Sequence, residues 1–63
     1  MMLIETVYRN FSIVVGQSID TPGTWSASIA HSGRFIGQVE GRSEAAALAE
    51  AKARVDLLTE KPR

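Results

Sequence analysis

The sequence predicts a small α+β domain, in which a three-stranded antiparallel meander is covered on one face by one C-terminal helix. Three observations predict this class. Residues 43–59 contain no Gly or Pro and are rich in Ala and Leu, which is typical of a helix. In three upstream segments apolar residues recur with a period of two, which is the period of a strand. Turn-forming residues lie between these segments, as expected between neighbouring antiparallel strands.

The chain length limits how large the core can be. The 63 residues are enough for one domain, and residues 1–63 are expected to form it. A domain of this size buries only about 60% of the surface that its unfolded chain exposes, so its core is marginal. No cysteine is present to form a disulfide or a thiolate metal site. Self-association is the remaining simple way to stabilise such a domain, and a homodimer is expected.

The charges and the N-terminal residues argue against several partners. Seven Lys and Arg balance seven Asp and Glu, and the two signs are interleaved, so no bulk charge indicates nucleic acid or a membrane. The N-terminal segment MMLIETVYRN has no cationic start, and Glu5 interrupts its apolar run. It therefore predicts neither a signal peptide nor a membrane span. The expected location is the cytoplasm, and no membrane partner is expected.

The first clear strand pattern covers residues 11–19, where large apolar side chains alternate with smaller or mixed residues. Before it, residues 3–8 are predicted as a short extra N-terminal strand, or as an ordered lead-in, within residues 1–10. After it, the segment Asp20-Thr21-Pro22-Gly23 predicts a turn. Pro fixes φ at the second turn position, and Gly accepts the positive φ that a type II turn requires next.

A second strand follows this turn. In it, Trp25, Ala27 and Ile29 alternate with small polar residues, so the strand has an inward and an outward side. Trp25 is expected to anchor the core. The pair Ser32-Gly33 then predicts a two-residue hairpin loop, because Gly accepts a positive φ there.

The third strand is predicted at residues 34–40. Simple alternation places Phe35 and Val39 on one side and Ile36 on the other. Gly37, between them, either marks a bulge or lets the helix approach closely. A single helix covers only one face of this sheet, so the other face is expected to contact a partner or a second copy.

The predicted helix carries two apolar stripes. The stripe suited to cover the sheet consists of Ala47, Leu48, Ala51, Val55 and Leu58. The second stripe, on the opposite side, consists of Ala46, Ala49, Ala53 and Leu57. The simpler interpretation of the second stripe is a solvent-exposed surface, because Ala is the best helix former and needs no partner. Leu57 favours a contact, since one large apolar side chain beside small ones suits a second helix. This stripe is the candidate partner or dimer surface.

Signals of catalysis and metal binding are weak. His31 is the only histidine; it is adjacent to Ser32, and a nucleophilic site would need a third group to orient it as a base. Asp20, Glu40 and Glu44 carry carboxylates that could bind a metal. The sequence has no second histidine and no cysteine to complete a metal site with them. No glycine pattern with a Lys indicates a phosphate loop. The sequence therefore predicts no enzyme, no cofactor and no metal site.

Arg9, Arg34 and Arg42 are the candidates for an edge that binds an anion or a nucleic acid. They are expected to converge near the hairpin and the helix N-terminus, where free backbone N–H groups favour an anion. The simpler interpretation is three unrelated surface arginines. It is supported by Glu40 and Glu44, which lie close to Arg42 in sequence and offset its charge.

Residues 25–58 contain, in this order, a strand, a short Gly hairpin, a second strand, the segment Gly41-Arg42-Ser43 that leads into a helix, and an Ala-rich helix. This order resembles the C-terminal two-thirds of a double-stranded-RNA-binding domain. The family's first helix is replaced here by the strand that begins at Phe11. Its lysine cluster is replaced by Glu44-Ala45-Ala46-Ala47, and those lysines are what hold the phosphates of the duplex. The resemblance therefore implies weak nucleic-acid binding.

The full order over residues 11–58 is more similar to the HicB-like antitoxin fold, which is regarded as half of that RNA-binding architecture. Gly23-Thr24-Trp25-Ser26-Ala27 resembles the start of the family's second strand, and Arg42-Ser43-Glu44-Ala45-Ala46-Ala47-Leu48 resembles its helix entry. The family's Asp-Leu-Pro-Gly-Cys element is replaced by His31-Ser32-Gly33, and no DNA-binding segment is expected after the helix. The resemblance implies a non-enzymatic module that associates with itself and with another, toxin-like protein.

Overall fold

The computed structural model describes residues 3–60, which form four antiparallel strands and one helix. The elements are β1 (Ile4–Tyr8), β2 (Phe11–Gln17), β3 (Trp25–His31), β4 (Arg34–Gly41) and α1 (Glu44–Thr59). The sheet order β1-β2-β3-β4 follows the chain. The predicted α+β class is confirmed, with four strands instead of three because the N-terminal residues form β1. The sequence also predicts that the tail, residues 60–63, frays, because Pro62 cannot continue a helix. Of these residues, all but Glu60 lie outside the described residues.

Two-residue loops join β1 to β2 and β3 to β4. Arg9 and Asn10 have φ values of 52° and 70°, and Ser32 and Gly33 have φ values of 53° and 78°. A positive φ at both positions is the type I′ geometry, whose twist matches that of paired strands. The sequence predicts the loop at Ser32 and Gly33. It gives little signal for the first loop, because Arg9 and Asn10 include no Gly.

The connection between β2 and β3 contains the predicted type II turn. Thr24 N donates to Thr21 O at 3.1 Å, which closes a four-residue turn. Pro22 occupies its second position, and Gly23 occupies the third with a φ of 84°. Strand β2 ends before Ile19, which was expected at its end. Ile19 lies in the connection instead and is 82% exposed.

The core lies between α1 and the sheet face that it covers. Its buried side chains are Ile13, Val15, Ala27, Ile29, Ala47, Ala51 and Val55. Partly buried side chains that pack around them are Tyr8, Phe11, Trp25, Val39 and Leu48. In the register of β2 and β3, Ile13 lies opposite Ile29, so the two largest buried side chains meet in the central strands. Trp25 packs at the margin of this core and not at its centre.

A β-bulge in β4 changes the side on which one aromatic residue lies. Gly37 and Phe35 oppose consecutive residues of β3, which leaves Ile36 as an extra residue. Val39 packs against the core, whereas Phe35 pairs with Ala30 on the face away from α1. The expectation that Phe35 and Val39 share one side is therefore wrong. The bulge beside Gly37 is one of the two interpretations offered for that glycine.

Helix α1 begins where the sequence predicts. The Ser43 side chain accepts a hydrogen bond from the Ala46 backbone N–H at 3.1 Å, which satisfies one free donor of the first turn. Gly41, the last residue of β4, lies against this turn. A Cβ at Gly41 would be 2.5 Å from the backbone nitrogen of Ala47. The absence of a side chain at Gly41 therefore allows α1 to start directly against the end of β4.

Candidate interaction surfaces

Helix α1 places its two predicted stripes in different environments. In the first stripe, the side chains of Ala47, Ala51 and Val55 are buried against the sheet. Leu48 is half-buried at the margin of the core, and Leu58, near the end of the helix, is 49% exposed. The first stripe therefore covers the sheet mainly through small side chains, which lets α1 lie close to it.

The second stripe forms a surface that we call the outer helix surface: Ala46, Ala49, Ala53 and Leu57. Ala46 is half-buried, and the other three residues are exposed. The Leu57 side chain is 67% exposed. No other element among the described residues covers this side of α1. The outer helix surface is therefore available to another chain.

The sheet face away from α1, called here the open sheet face, is a second surface that no element within residues 3–60 covers. The strand registers place Val7, Ser12, Ala30 and Phe35 in one row across β1, β2, β3 and β4. Val7 and Phe35 are 67% and 64% exposed. The two small side chains between them lie on the central strands. The row therefore has large apolar side chains on the two edge strands and small side chains on the two central strands.

Arg9 attaches the end of α1 to the β1–β2 loop. Its Nε lies 3.3 Å from Asp56 Oδ1, and its Nη1 donates to Thr59 Oγ1 at 2.9 Å. The Tyr8 hydroxyl donates to the same Asp56 oxygen at 2.9 Å. The Tyr8 ring also has two cations nearby, with the Arg9 guanidinium 5.8 Å and the Lys52 ammonium 5.5 Å from its centroid. These contacts occupy Arg9 within the fold.

The structure does not bring the three candidate arginines together. Arg9 and Arg34 lie at the end of the sheet that carries the two tight hairpin loops, which is also where α1 ends. Arg42 follows β4 at the opposite end of the sheet, beside the start of α1. Only Arg42 therefore lies next to the helix N-terminus, and Glu44 is in the first turn of that helix.

His31, the last residue of β3, packs against an aromatic ring of β2. Its ring lies on Phe11, with a distance of 4.6 Å between ring centroids. Within residues 3–60 there is no pocket, and no group of three or more His, Cys, Asp or Glu side chains is placed to hold a metal ion. In this same part of the chain, no helix has the length and apolar character needed to cross a membrane.

Two features of these surfaces have no clear signal in the sequence. The outward position of Phe35 depends on the bulge in β4, which alternation alone does not show. The contacts of Tyr8 and Arg9 with Asp56 join residues far apart in the chain.

No family model, curated protein or solved structure matches this chain. A function therefore has to be inferred from the surfaces and from the pattern of residues.

Proposed function

We propose that this chain is a small non-enzymatic interaction module, HicB-like in organisation, that associates with itself and binds another protein. The observation that supports it is the exposure of large apolar side chains on both outer surfaces of a small domain. Leu57 is exposed on the outer helix surface, and Val7 and Phe35 are exposed on the open sheet face. Exposed apolar surface bordered by polar residues is typical of sites that contact other proteins.

The resemblance to HicB-like antitoxins supports an antitoxin-like or regulatory form of this module. It rests on the Trp25-bearing strand after the Pro-Gly turn and on the helix entry at Arg42 and Ser43. In this form the second protein is toxin-like, the location is the cytoplasm, and no cofactor is involved. The outer helix surface is proposed as the contact for another chain.

We expect the protein to be a dimer at micromolar concentration, because a second copy adds buried apolar surface to a marginal core. Sedimentation equilibrium should give twice the chain mass of 6.8 kDa. The midpoint of thermal unfolding should rise with protein concentration, since association stabilises only the folded state. A monomer whose unfolding midpoint does not depend on concentration would contradict the self-association.

The alternative is a weak nucleic-acid-binding module with an architecture like that of the double-stranded-RNA-binding domain. The observation that favours it is the position of Arg9 and Arg34 at the same end of the sheet. Two features weaken it. Arg9 is paired with Asp56, and Glu44 occupies the helix start where the RNA-binding family carries lysines.

Binding of duplex RNA is expected to be absent or weak, because Glu44-Ala45-Ala46-Ala47 replaces the phosphate-binding lysines of the RNA-binding family, and Glu44 repels phosphates. Fluorescence anisotropy with a duplex of about 20 base pairs in about 50 mM salt tests this, since low salt strengthens any phosphate contact. Arg34→Ala serves as the comparison variant. Submicromolar affinity that falls steeply with added salt, and that Arg34→Ala weakens, would favour the nucleic-acid alternative.

A further inference from the structure

Strand β1 is an edge strand with few of the features that usually protect an edge. It pairs with β2 on one side and is the last strand of the sheet on the other. Natural edge strands are commonly interrupted by a bulge, or carry Pro or charged side chains, especially Lys. The other edge, β4, has its bulge at Ile36. β1 is a regular strand with the sequence IETVY, and it contains no bulge, Pro or Lys.

The β1–β2 loop determines which backbone groups of β1 are free. In a two-residue hairpin loop, the flanking residues, here Tyr8 and Phe11, exchange backbone hydrogen bonds. The direction of the backbone groups alternates along a strand, so those of Tyr8 and Thr6 point towards β2. Those of Glu5 and Val7 point away from the sheet. The free edge therefore offers the N–H and C=O groups of Glu5 and Val7 to another strand.

We propose that a second copy of this chain pairs with this edge, with the two β1 strands antiparallel about a two-fold axis at Thr6. The inference rests on the proposed function and identifies the surface through which the module associates with itself. In this register Glu5 of each copy lies opposite Val7 of the other. All outward backbone groups of both residues are then paired, in about four hydrogen bonds.

The side chains of β1 favour this register and a second copy of the same strand. Glu5 is the only charged residue in β1. Pairing centred on Glu5, or in-register parallel pairing, would place two carboxylates side by side and would be destabilising. Pairing centred on Thr6 places Glu5 beside Val7. On the other face it places Ile4 beside Tyr8, an aliphatic and aromatic pair of the kind that stabilises sheets. The strand is therefore self-complementary, as a two-fold contact requires.

The position of α1 leaves room for this pairing. The helix packs mainly on β2, β3 and β4, and its side-chain contacts with β1 are at Tyr8, the last residue of that strand. The rest of the free β1 edge lies away from the helix. In the paired sheet, five strand spacings of about 4.8 Å separate the two copies of β3, so the two helices lie about 24 Å apart. Both helices are on the same face of the sheet. The outer helix surfaces stay uncovered, which leaves them for the second protein.

Thr6→Cys tests the register, because the chain has no other cysteine. In the proposed pair the two Thr6 Cα atoms are about 4.5 Å apart, which a disulfide can bridge. Under mild oxidation, Thr6→Cys should form a covalent dimer at micromolar concentration. Val7→Cys is the matched control. In the proposed register Val7 lies opposite Glu5 of the other copy, so the two introduced cysteines are not directly opposite each other. This variant should cross-link at least about tenfold more slowly. Leu57→Cys cross-linking faster than Thr6→Cys would overturn the inference in favour of the outer helix surface.

Val7→Pro tests the backbone pairing. It removes an outward N–H group and spares the β1–β2 hydrogen bonds, which is the setting in which an edge strand tolerates Pro. The variant should keep its far-ultraviolet circular dichroism, and its dimer dissociation constant should rise by at least about tenfold. Val7→Ala retains the N–H group and should dimerise within about threefold of the natural chain.

The outcomes separate this inference from the proposed function. A folded Val7→Pro variant that dimerises like the natural chain would overturn pairing at β1 and leave self-association intact. A natural chain that is monomeric at all concentrations would overturn both. If Val7→Pro does not fold, the relative cross-linking rates of Thr6→Cys, Val7→Cys and Leu57→Cys decide the matter.

Discussion

Ile29→Ala is expected to lower the free energy of unfolding by about 2–5 kcal/mol. Ile29 is fully buried in the central strand β3, where it lies opposite Ile13. Its neighbour on β4 is Gly37, which has no side chain that could move into the space left by truncation. The variant therefore loses the transfer free energy of the removed atoms and also retains part of the cavity.

This loss is large for a domain of 63 residues, whose total stability is expected to be about 3–9 kcal/mol. Urea unfolding followed by circular dichroism measures it. Ile19→Ala is the matched control, because it makes the same chemical change at a side chain that is 82% exposed. The control should change stability by less than about 0.5 kcal/mol. Equal losses in the two variants would contradict the placement of the core.

Gly41→Ala is expected to displace the start of α1 and to destabilise the fold by about 1–3 kcal/mol. A Cβ at this position would lie 2.5 Å from the Ala47 backbone nitrogen and 2.8 Å from the Ala46 carbonyl carbon. Both are backbone atoms, so no side-chain rotation can relieve the contact. The first turn of α1 would have to move, and with it the buried side chain of Ala47.

Gly37→Ala is the matched control for this prediction, because a Cβ there has no atom within 4 Å. It should be neutral or stabilising by up to about 1 kcal/mol, since Gly inside a strand loses more backbone entropy on folding than Ala. Urea unfolding compares the two variants, and hydrogen exchange at Ala47 reports on the first turn of α1. Similar stability in both variants, with unchanged exchange at Ala47, would show that α1 does not start against Gly41.

Local residue chemistry by itself determined several elements of this protein. The Ser43 cap, the Ala-rich helix, the loop at Ser32 and Gly33 and the turn at Pro22 and Gly23 each depend on residues only a few positions apart. Helical periodicity also placed Leu57 on the side of α1 opposite the sheet, where it is exposed. Such features follow from φ preferences and helix geometry, which act within a few residues.

Strand β1 was determined only in part by its sequence. A segment of five residues is too short to show a clear alternation, and its loop at Arg9 and Asn10 contains no Gly. Pairing with β2 supplies the backbone hydrogen bonds that make these residues a strand. The free edge that we propose for self-association could therefore be recognised only after the strand order was known.

Tertiary structure alone decided where Phe35 and the arginines lie. Phe35 faces away from α1 because the register between β3 and β4 includes an extra residue, and a shift of one residue reverses the side of every position beyond it. Arg9 meets Asp56 because the sheet and the helix bring the first hairpin loop to the end of α1. Strand register and contacts between distant segments depend on how whole elements pack, and no short stretch of sequence contains that information.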